Sequence, residues 1–324
     1  MSRVLITGAT GFVARAVIAA LRAEGHTLSG TTRQPGIGQG PDRIPLYHVP
    51  AFDGDLAHIV AGADVVVHLA ARTHHMNERG LDAIDLYRAI NRDGTRHLAE
   101  AAAAAGVKRF VFMSSVKAVG EESFGRPFDE TTPPVPEDAY GLSKLEGERA
   151  LAEVAARTGL EAVILRLPLV YGPGVRGNLA ALLKLCDRGL PLPLGGIRNR
   201  RSFVSVANLA SAVALTLRHP APAGIYFVSD GEDISTSELV ATITRALGKR
   251  PLLLPVPAAL FSFAGSLPKI GGAVRRLTGS LQVDSRLIRE SLGWRPVQSL
   301  AAGLDEMAQA WKERADMVSS PYIH

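Results

Sequence analysis

Ser115, Tyr140 and Lys144 are spaced in this sequence for proton transfer. The run Val107-Lys108-Arg109-Phe110-Val111-Phe112-Met113-Ser114-Ser115 reads as a buried strand ending in hydroxyls. Tyr140 to Ala156 has helical spacing and no proline, so Tyr140 opens a helix. Residues four apart share a helix face, which sends Tyr140 and Lys144 into one space. The strand end brings Ser115 towards them. A phenol has a pKa of roughly 10 and is a poor base at neutral pH. A nearby ammonium favours the phenolate and makes the phenol a usable acid or base. A serine hydroxyl can orient the oxygen that gains or loses the proton. The set suits an alcohol or ketone whose carbon exchanges a hydride. Tyr-x-x-x-Lys by itself equally describes a surface Tyr and a solvated Lys; its place after a glycine-rich start and a Ser-Ser strand end favours chemistry.

The start of the chain supplies a place for a hydride carrier. Val4-Leu5-Ile6-Thr7 is a strand, and a helix runs from the following turn to about Glu24. Between them lie Gly8, Thr10, Gly11, Phe12, Val13 and Ala14. Glycines at a strand-to-helix turn let the backbone approach a pyrophosphate, and the helix N-terminus favours its charge. Ala14 still allows close helix–strand packing. A nicotinamide dinucleotide is therefore expected, with hydride transfer paired to proton transfer. The second strand, His26 to Thr32, ends in Thr32-Arg33. Dinucleotide sites of the NAD type place a carboxylate on the adenine ribose there. A hydroxyl and a guanidinium can instead bind the extra phosphate of NADP, so NADP(H) is favoured and NAD(H) is the alternative; Arg33 stacking on adenine is the bland reading. A short third strand is expected in Leu46 to Phe52. Asp53 could contact an adenine edge or serve as a turn with a helix cap. The strand Asp64 to Leu69 ends His68-Leu69-Ala70-Ala71, whose small residues let a cofactor pass. His74-His75 have no partner at metal spacing and read as loop residues near the substrate; no metal is expected.

A helix follows from Leu81 to Ala105, carrying Asn91, and Glu121 to Asp138 forms a proline-rich rim. The sixth strand, Glu161 to Leu167, leads through Pro168 into Leu169-Val170-Tyr171-Gly172-Pro173-Gly174, at the edge where open α/β sheets bind ligands. Helices are expected near 178–188, 206–218, 235–247, 258–267, 285–291 and 300–315, with short strands near 203–205 and 225–228. Pro321 to His324 reads as a frayed tail. The fold class is α/β: a Rossmann-type doubly wound parallel sheet with a smaller C-terminal substrate lobe. Residues 1–168 form the dinucleotide domain, with 203–229 returning to it; 169–202 and 230–318 form the lobe.

Composition sets limits on the function. The chain has 324 residues, 47% hydrophobic and 21% charged, with net charge +5, as in a globular soluble protein. The basic residues are scattered without an aromatic-basic stripe, which argues against nucleic acid. An anionic small substrate fits the balance. The single Cys186 allows no internal disulfide and points to a reducing compartment, the cytoplasm. No signal peptide is read, and the apolar tract Leu252 to Leu267 is broken by Pro255 and Pro257 and too short to span a bilayer; a core or lid helix is the favoured reading, with a segment lying on a membrane surface as the alternative.

Gly8-x-x-Gly11, Ser115, Tyr140-x-x-x-Lys144 and Tyr171-Gly172-Pro173 together resemble the extended short-chain dehydrogenase/reductases of the NAD-dependent epimerase/dehydratase family that act on nucleotide sugars. The similarity runs through Leu292-Gly293-Trp294-Arg295-Pro296. It implies a UDP-sugar substrate, catalytic Ser115, Tyr140 and Lys144, and substrate contacts from Ser115, Lys117, Asn178, Arg201 and Arg276. Ser115 is chosen over Ser114 because Gly120 follows it at the family interval. The family's Arg-Asp-Phe-Val string corresponds to Arg201-Ser202-Phe203-Val204, with Asn208 where the family has a later Asp. Solvated surface charge is the plain alternative for both arginines. Dehydratases of the family carry Asp-Glu after the catalytic hydroxyl; Val116 and Lys117 stand there, which disfavours elimination. The string Ser114 to Glu121 resembles a UDP-glucose 4-epimerase-like subgroup that includes 4-ketoreductases making UDP-N-acetylquinovosamine for surface polysaccharide. The resemblance thus implies reduction of a UDP-4-keto-6-deoxy-sugar, with 4-epimerisation or a non-catalytic dinucleotide sensor as alternatives. It also implies a homodimer through the helices holding Leu81 to Ala105 and Tyr140 onward; Ala99, Ala103 and Leu151 could serve that seam or pack on the sheet. If Arg201 holds substrate phosphates, Arg201→Ala weakens UDP binding by about 2–5 kcal/mol in a titration. Wild-type affinity would return it to the solvated surface.

Overall fold

Three consecutive valines, Val65-Val66-Val67, form the centre of a strand buried on both faces, and the sheet is built outward from such segments. The structure is a computed structural model and describes residues 1–73, 81–257, 260–261 and 271–319. His74-His75, most of the 258–267 helix and the tail from Pro321 lie outside the described residues.

The strands are β1 Arg3–Thr7, β2 Thr27–Thr32, β3 Leu46–His48, β4 Val65–His68, β5 Arg109–Ser115, β6 Glu161–Leu167, β7 Leu169–Tyr171, β8 Phe203–Ser205 and β9 Gly224–Phe227. The helices are α1 Phe12–Ala23, α2 Ala57–Val60, α3 Leu81–Arg88, α4 Gly94–Ala104, α5 Ala139–Thr158, α6 Gly177–Asp187, α7 Val206–Arg218, α8 Thr236–Ala246, α9 Gly271–Thr278, α10 Arg286–Leu292 and α11 Leu300–Ser319. Seven parallel strands pair in the order β3-β2-β1-β4-β5-β6-β9. This is the Rossmann-like α/β fold. The order reverses beside β1, so a crevice opens at the carboxyl ends of β1 and β4. Strands β7 and β8 pair separately. The third strand stops at His48, short of the expected Phe52, because the chain turns inward at Val49 and Phe52, which pack against the sheet.

Helices α1 and α7 cover one face, through Val17, Ile18, Leu21, Leu209 and Val213. Helices α4 and α5 cover the other, through Leu98, Ala99, Leu151 and Val154. Ala99 and Leu151 are fully buried there, so these two residues of the expected seam belong to the chain's own core. Ion pairs instead lace α3 and α4 to α5, Arg88–Glu146 at 2.7 Å and Arg96–Glu153 at 2.9 Å. A third core, in the C-terminal part, gathers Leu179, Leu183, Leu239, Ile243 and Leu304.

The expected helix from Leu81 is continuous to Ala104 but carries a π turn over Ala89–Asp93. That turn pushes the Asn91 carbonyl towards α5, where Gly147 receives it. A Cβ on Gly147 would lie 2.3 Å from the Asn91 oxygen and 3.2 Å from the Phe112 ring. Gly147→Ala should therefore lower stability by about 1–3 kcal/mol, as overpacking does, read as a fall in the urea midpoint.

Candidate active site

Ser115 ends β5, and its hydroxyl accepts the Lys117 backbone N–H at 3.2 Å, turning the chain at the sheet's carboxyl edge. Asp138 starts α5: its carboxylate accepts the Gly141 N–H at 2.7 Å, a helix cap that fixes where Tyr140 stands. Lys144 follows one turn later and is 1% exposed. Helix α5 thus carries Tyr140 and Lys144 one turn apart beside the end of β5, where Ser115 stands. Ser115 bears on the Tyr140 phenol, and the Lys144 Nζ lies 3.8 Å from the Phe112 ring centroid.

The electrostatics differ from the sequence expectation in one respect. Tyr140 is half-buried, and burial is the first cause that pushes its pKa up to about 12. The Ser115 hydroxyl works downward, while Asp138 and Tyr87 work upward. Lys144 was expected to lower the phenol; its amine is itself brought down to about 7, first by burial, with the Glu148 carboxylate opposing. At neutral pH the phenol keeps its proton and the amine holds its own loosely.

Glu148 lies one turn beyond Lys144 and is 3% exposed. It accepts the Ser114 hydroxyl and pairs with Arg166 at 2.7 Å, which links α5, β5 and β6 beneath the site. A second buried network was not foreseen. The Ala70 N–H donates to Thr7 Oγ1 at 3.1 Å, and Thr7 meets His68 Nδ1 at 2.7 Å. His68 Nε2 meets Thr95 Oγ1 at 3.2 Å, and Thr95 donates to the Asn91 carbonyl at 2.8 Å. Because Thr95 spends its proton on Asn91, His68 donates from Nε2 and accepts at Nδ1. Asn91 Nδ2 then donates to Ser143 Oγ at 2.9 Å, and Ser143 to the Tyr140 carbonyl at 2.8 Å. Burial, aided by the Lys144 charge, lowers His68 to about 3, so it stays neutral. One chain of donors therefore connects the dinucleotide edge of the sheet to the start of α5. The only sequence signal was a His at the end of an apolar strand.

The residues expected at a dinucleotide fit one. Gly8 has φ of +66°, and a Cβ there would lie 3.0 Å from the Ala70 backbone. Gly11 caps α1 with no side-chain hydrogen bond, leaving the first N–H groups of the helix without a side-chain acceptor. Phe12 and Val13 are half-buried and Thr10 is exposed beside that turn. Leu69, Ala70 and Ala71 are half-buried past the end of β4, and Pro168 is buried past β6. Thr32 is buried, with its hydroxyl accepting the Gln34 N–H at 3.2 Å, and Arg33 is exposed. Asp53 is exposed and lines an open cleft of about 460 Å³ with His97 and Glu100. Asp55, rather than Asp53, takes the Ala57 N–H at 2.9 Å at the start of α2.

The expected substrate residues divide. Lys117 is engaged by Glu121 at 2.7 Å and Asp138 at 2.6 Å, so it braces the start of α5. Asn178 is exposed near the start of α6. Arg201 Nη1 donates to the carbonyls of Arg276 at 2.9 Å and Gly279 at 3.0 Å. Burial lowers its pKa while Glu122 and Glu121 oppose this, which places the guanidinium beside the rim that follows Ser115. Arg276 is exposed on α9. Tyr171 is fully buried and donates to Asp230 at 2.7 Å; Asn208 donates to the same carboxylate at 2.7 Å, so β7 and α7 are tied to the segment after β9. Among the described residues, no cluster of His, Cys, Asp or Glu could hold a metal, and no helix is long and apolar enough to cross a membrane.

Comparison with known proteins adds the following. The profile of the NAD dependent epimerase/dehydratase family matches residues 4–228. A UDP-glucose 4-epimerase of Vibrio cholerae is 40% identical over 313 residues, covering 95% of each chain. An Escherichia coli O157:H7 protein named N-acetyl-alpha-D-glucosaminyl-diphospho-ditrans,octacis-undecaprenol 4-epimerase is 30% identical over 326 residues, covering 94% of each. The crystal structure of UDP-glucuronic acid 4-epimerase from Bacillus cereus, in complex with NAD, superposes with a TM-score of 0.77 at 22% identity, over 96% of this chain and 99% of that one, a likeness of fold.

Lys144 makes stability depend on pH. Its folded pKa, about 7, lies below the ordinary value of 10.5, so between these the unfolded chain binds more protons. Stability should rise with pH from about 7. Tyr140 reverses the trend above its ordinary value of 10.0, since the folded phenol holds its proton to about 12. Denaturant unfolding should show the rise, and Lys144→Met should remove much of it; an unchanged pH profile in that variant would count against a buried, weakly protonated Lys144.

Proposed function

The chain belongs to the NAD dependent epimerase/dehydratase family, and from that premise we propose that it is an oxidoreductase acting at C4 of a UDP-sugar. Its substrate in this reading is a UDP-4-keto-6-deoxy-N-acetylhexosamine, reduced to a precursor of surface polysaccharide. A bound nicotinamide dinucleotide would supply the hydride. Tyr140 gives its proton to the C4 oxygen, Ser115 fixes that oxygen, and Lys144 holds the nicotinamide ribose. The observation that carries the reading is the placement of Tyr140 at the start of α5, one turn before the buried Lys144 and beside Ser115 at the end of β5; burial favours the protonated phenol, the form that donates. Reduction needs a donor at the start, whereas oxidation needs a phenolate. Elimination lacks its acid and base, since Val116 is buried and Lys117 is tied to two carboxylates.

Residues 1–168 with 203–229 bind the dinucleotide in this reading, and 169–202 with 230–318 bind the sugar nucleotide, with Arg201 and Arg276 at its phosphates. Thr32 and the exposed Arg33, with no carboxylate at the end of β2, favour NADPH over NADH. A homodimer working in the cytoplasm fits the reading; its helix seam would use the ion-paired helices α4 and α5 and the exposed Leu86. The sensor alternative has no use for an assembled Ser115, Tyr140 and Lys144. The second reading, 4-epimerisation, is favoured by the Vibrio cholerae relative's activity. An epimerase reuses one tightly held cofactor, while a ketoreductase consumes reduced cofactor each turn. Supplied with UDP-4-keto-6-deoxy-HexNAc, the enzyme should consume NADPH mole for mole. Interconversion of UDP-hexose epimers without net consumption, with NAD⁺ retained through purification, would overturn the reductase.

A further inference from the structure

Leu190, Leu252, Leu254 and Leu260 are 55%, 43%, 53% and 57% exposed. Backbone pairing holds Leu252 and Leu254 against Leu192, two residues after Leu190. The Leu192 N–H donates to the Leu252 carbonyl at 2.8 Å, and the Leu254 N–H donates to the Leu192 carbonyl at 2.8 Å. Side chains alternate along such an extended segment, so Leu252 and Leu254 share one side. Leu253 takes the other and packs with the buried Leu192 and Leu194. An apolar row held outward by a rigid backbone pair is a surface that needs a cover.

Its fringe is cationic. Lys184, Arg188, Arg245 and Arg250 are exposed and have no carboxylate partner among the described residues. Lys249 pairs with Asp187 at 2.7 Å, which ties the turn carrying Arg188 and Leu190 to the segment carrying Arg250, Leu252 and Leu254. A second copy docking here by two-fold symmetry would bring the same cations face to face. A negatively charged sheet of apolar chains satisfies both the leucines and the cations.

We propose that this edge of the C-terminal lobe rests on an anionic lipid surface. The leucines enter the head-group boundary, and Lys184, Arg188, Arg245 and Arg250 face the lipid phosphates. The inference does not depend on which sugar the enzyme reduces. Sedimentation with vesicles tests it, using phosphatidylcholine alone and equal parts of phosphatidylcholine and phosphatidylglycerol. The full chain should pellet with the mixed vesicles at low salt and be released at high salt. Leu252→Ser with Leu254→Ser, and separately Arg188→Glu with Arg250→Glu, should each weaken that binding by about tenfold or more. Their thermal midpoints should stay near wild type, because the side chains are exposed. Failure to bind the mixed vesicles, equal binding to both kinds, or binding that survives both double variants would overturn the proposal. So would a dimer in light scattering that the leucine variants dissociate.

Discussion

The buried ion pair between Glu148 and Arg166 is the contact on which the arrangement of this site depends. Its partners are 3% and 5% exposed and meet at 2.7 Å. Glu148 comes from α5, Arg166 from β6, and the Ser114 hydroxyl from β5 also ends on the same carboxylate. One charge therefore sets the height of the helix carrying Tyr140 and Lys144 against the strand carrying Ser115. Removing either partner would leave a buried charge without its counterpart, which costs about 3–5 kcal/mol. The helix has few ways to shift without breaking that pair. The Asp138 cap fixes its start, and Gly147 seats it against the π turn at Asn91.

Above this base the site keeps charge scarce. Lys144 has no carboxylate in direct contact among the described residues and rests over Phe112. On the same ring His68 stacks at 5.7 Å, neutral, passing hydrogen bonds from the β1 and β4 ends towards α5. A desolvated amine and a desolvated phenol both favour their uncharged forms. Such a pair changes protonation readily when a dinucleotide and a carbonyl compound bring their own dipoles. The arginine side is built differently. Arg201 is anchored by two backbone carbonyls at the end of α9, and among the described residues no carboxylate pairs with it, though Glu122 and Glu121 lie near enough to act on its charge.

Much of this was legible in the sequence because its signals are local. Periodicity placed Tyr140 and Lys144 on one helix face, and the glycine turn after a short apolar strand marked the dinucleotide edge. The order of strand, helix and small-residue strand ends implied the parallel sheet. The remainder depends on contacts between distant segments. That Lys117 is occupied by Glu121 and Asp138 follows from how the rim folds back, which no spacing rule conveys. The π turn at Asn91 shifts the register of a helix whose apolar pattern looks unbroken. Ala99 and Leu151 suited a seam by pattern, yet the sheet claimed them, since periodicity shows that a face is apolar and not what covers it. The phenol's upward shift likewise comes from burial, a quantity set by tertiary packing.

Turnover by Tyr140→Phe, measured beside dinucleotide binding by the same protein, tests most directly whether this phenol is the proton donor. Turnover should fall by about a hundredfold or more, as loss of a general acid does, while the dinucleotide still binds. Turnover equal to wild type would contradict the assignment of Tyr140 and, with it, the chemistry built on the Ser115, Tyr140 and Lys144 cluster.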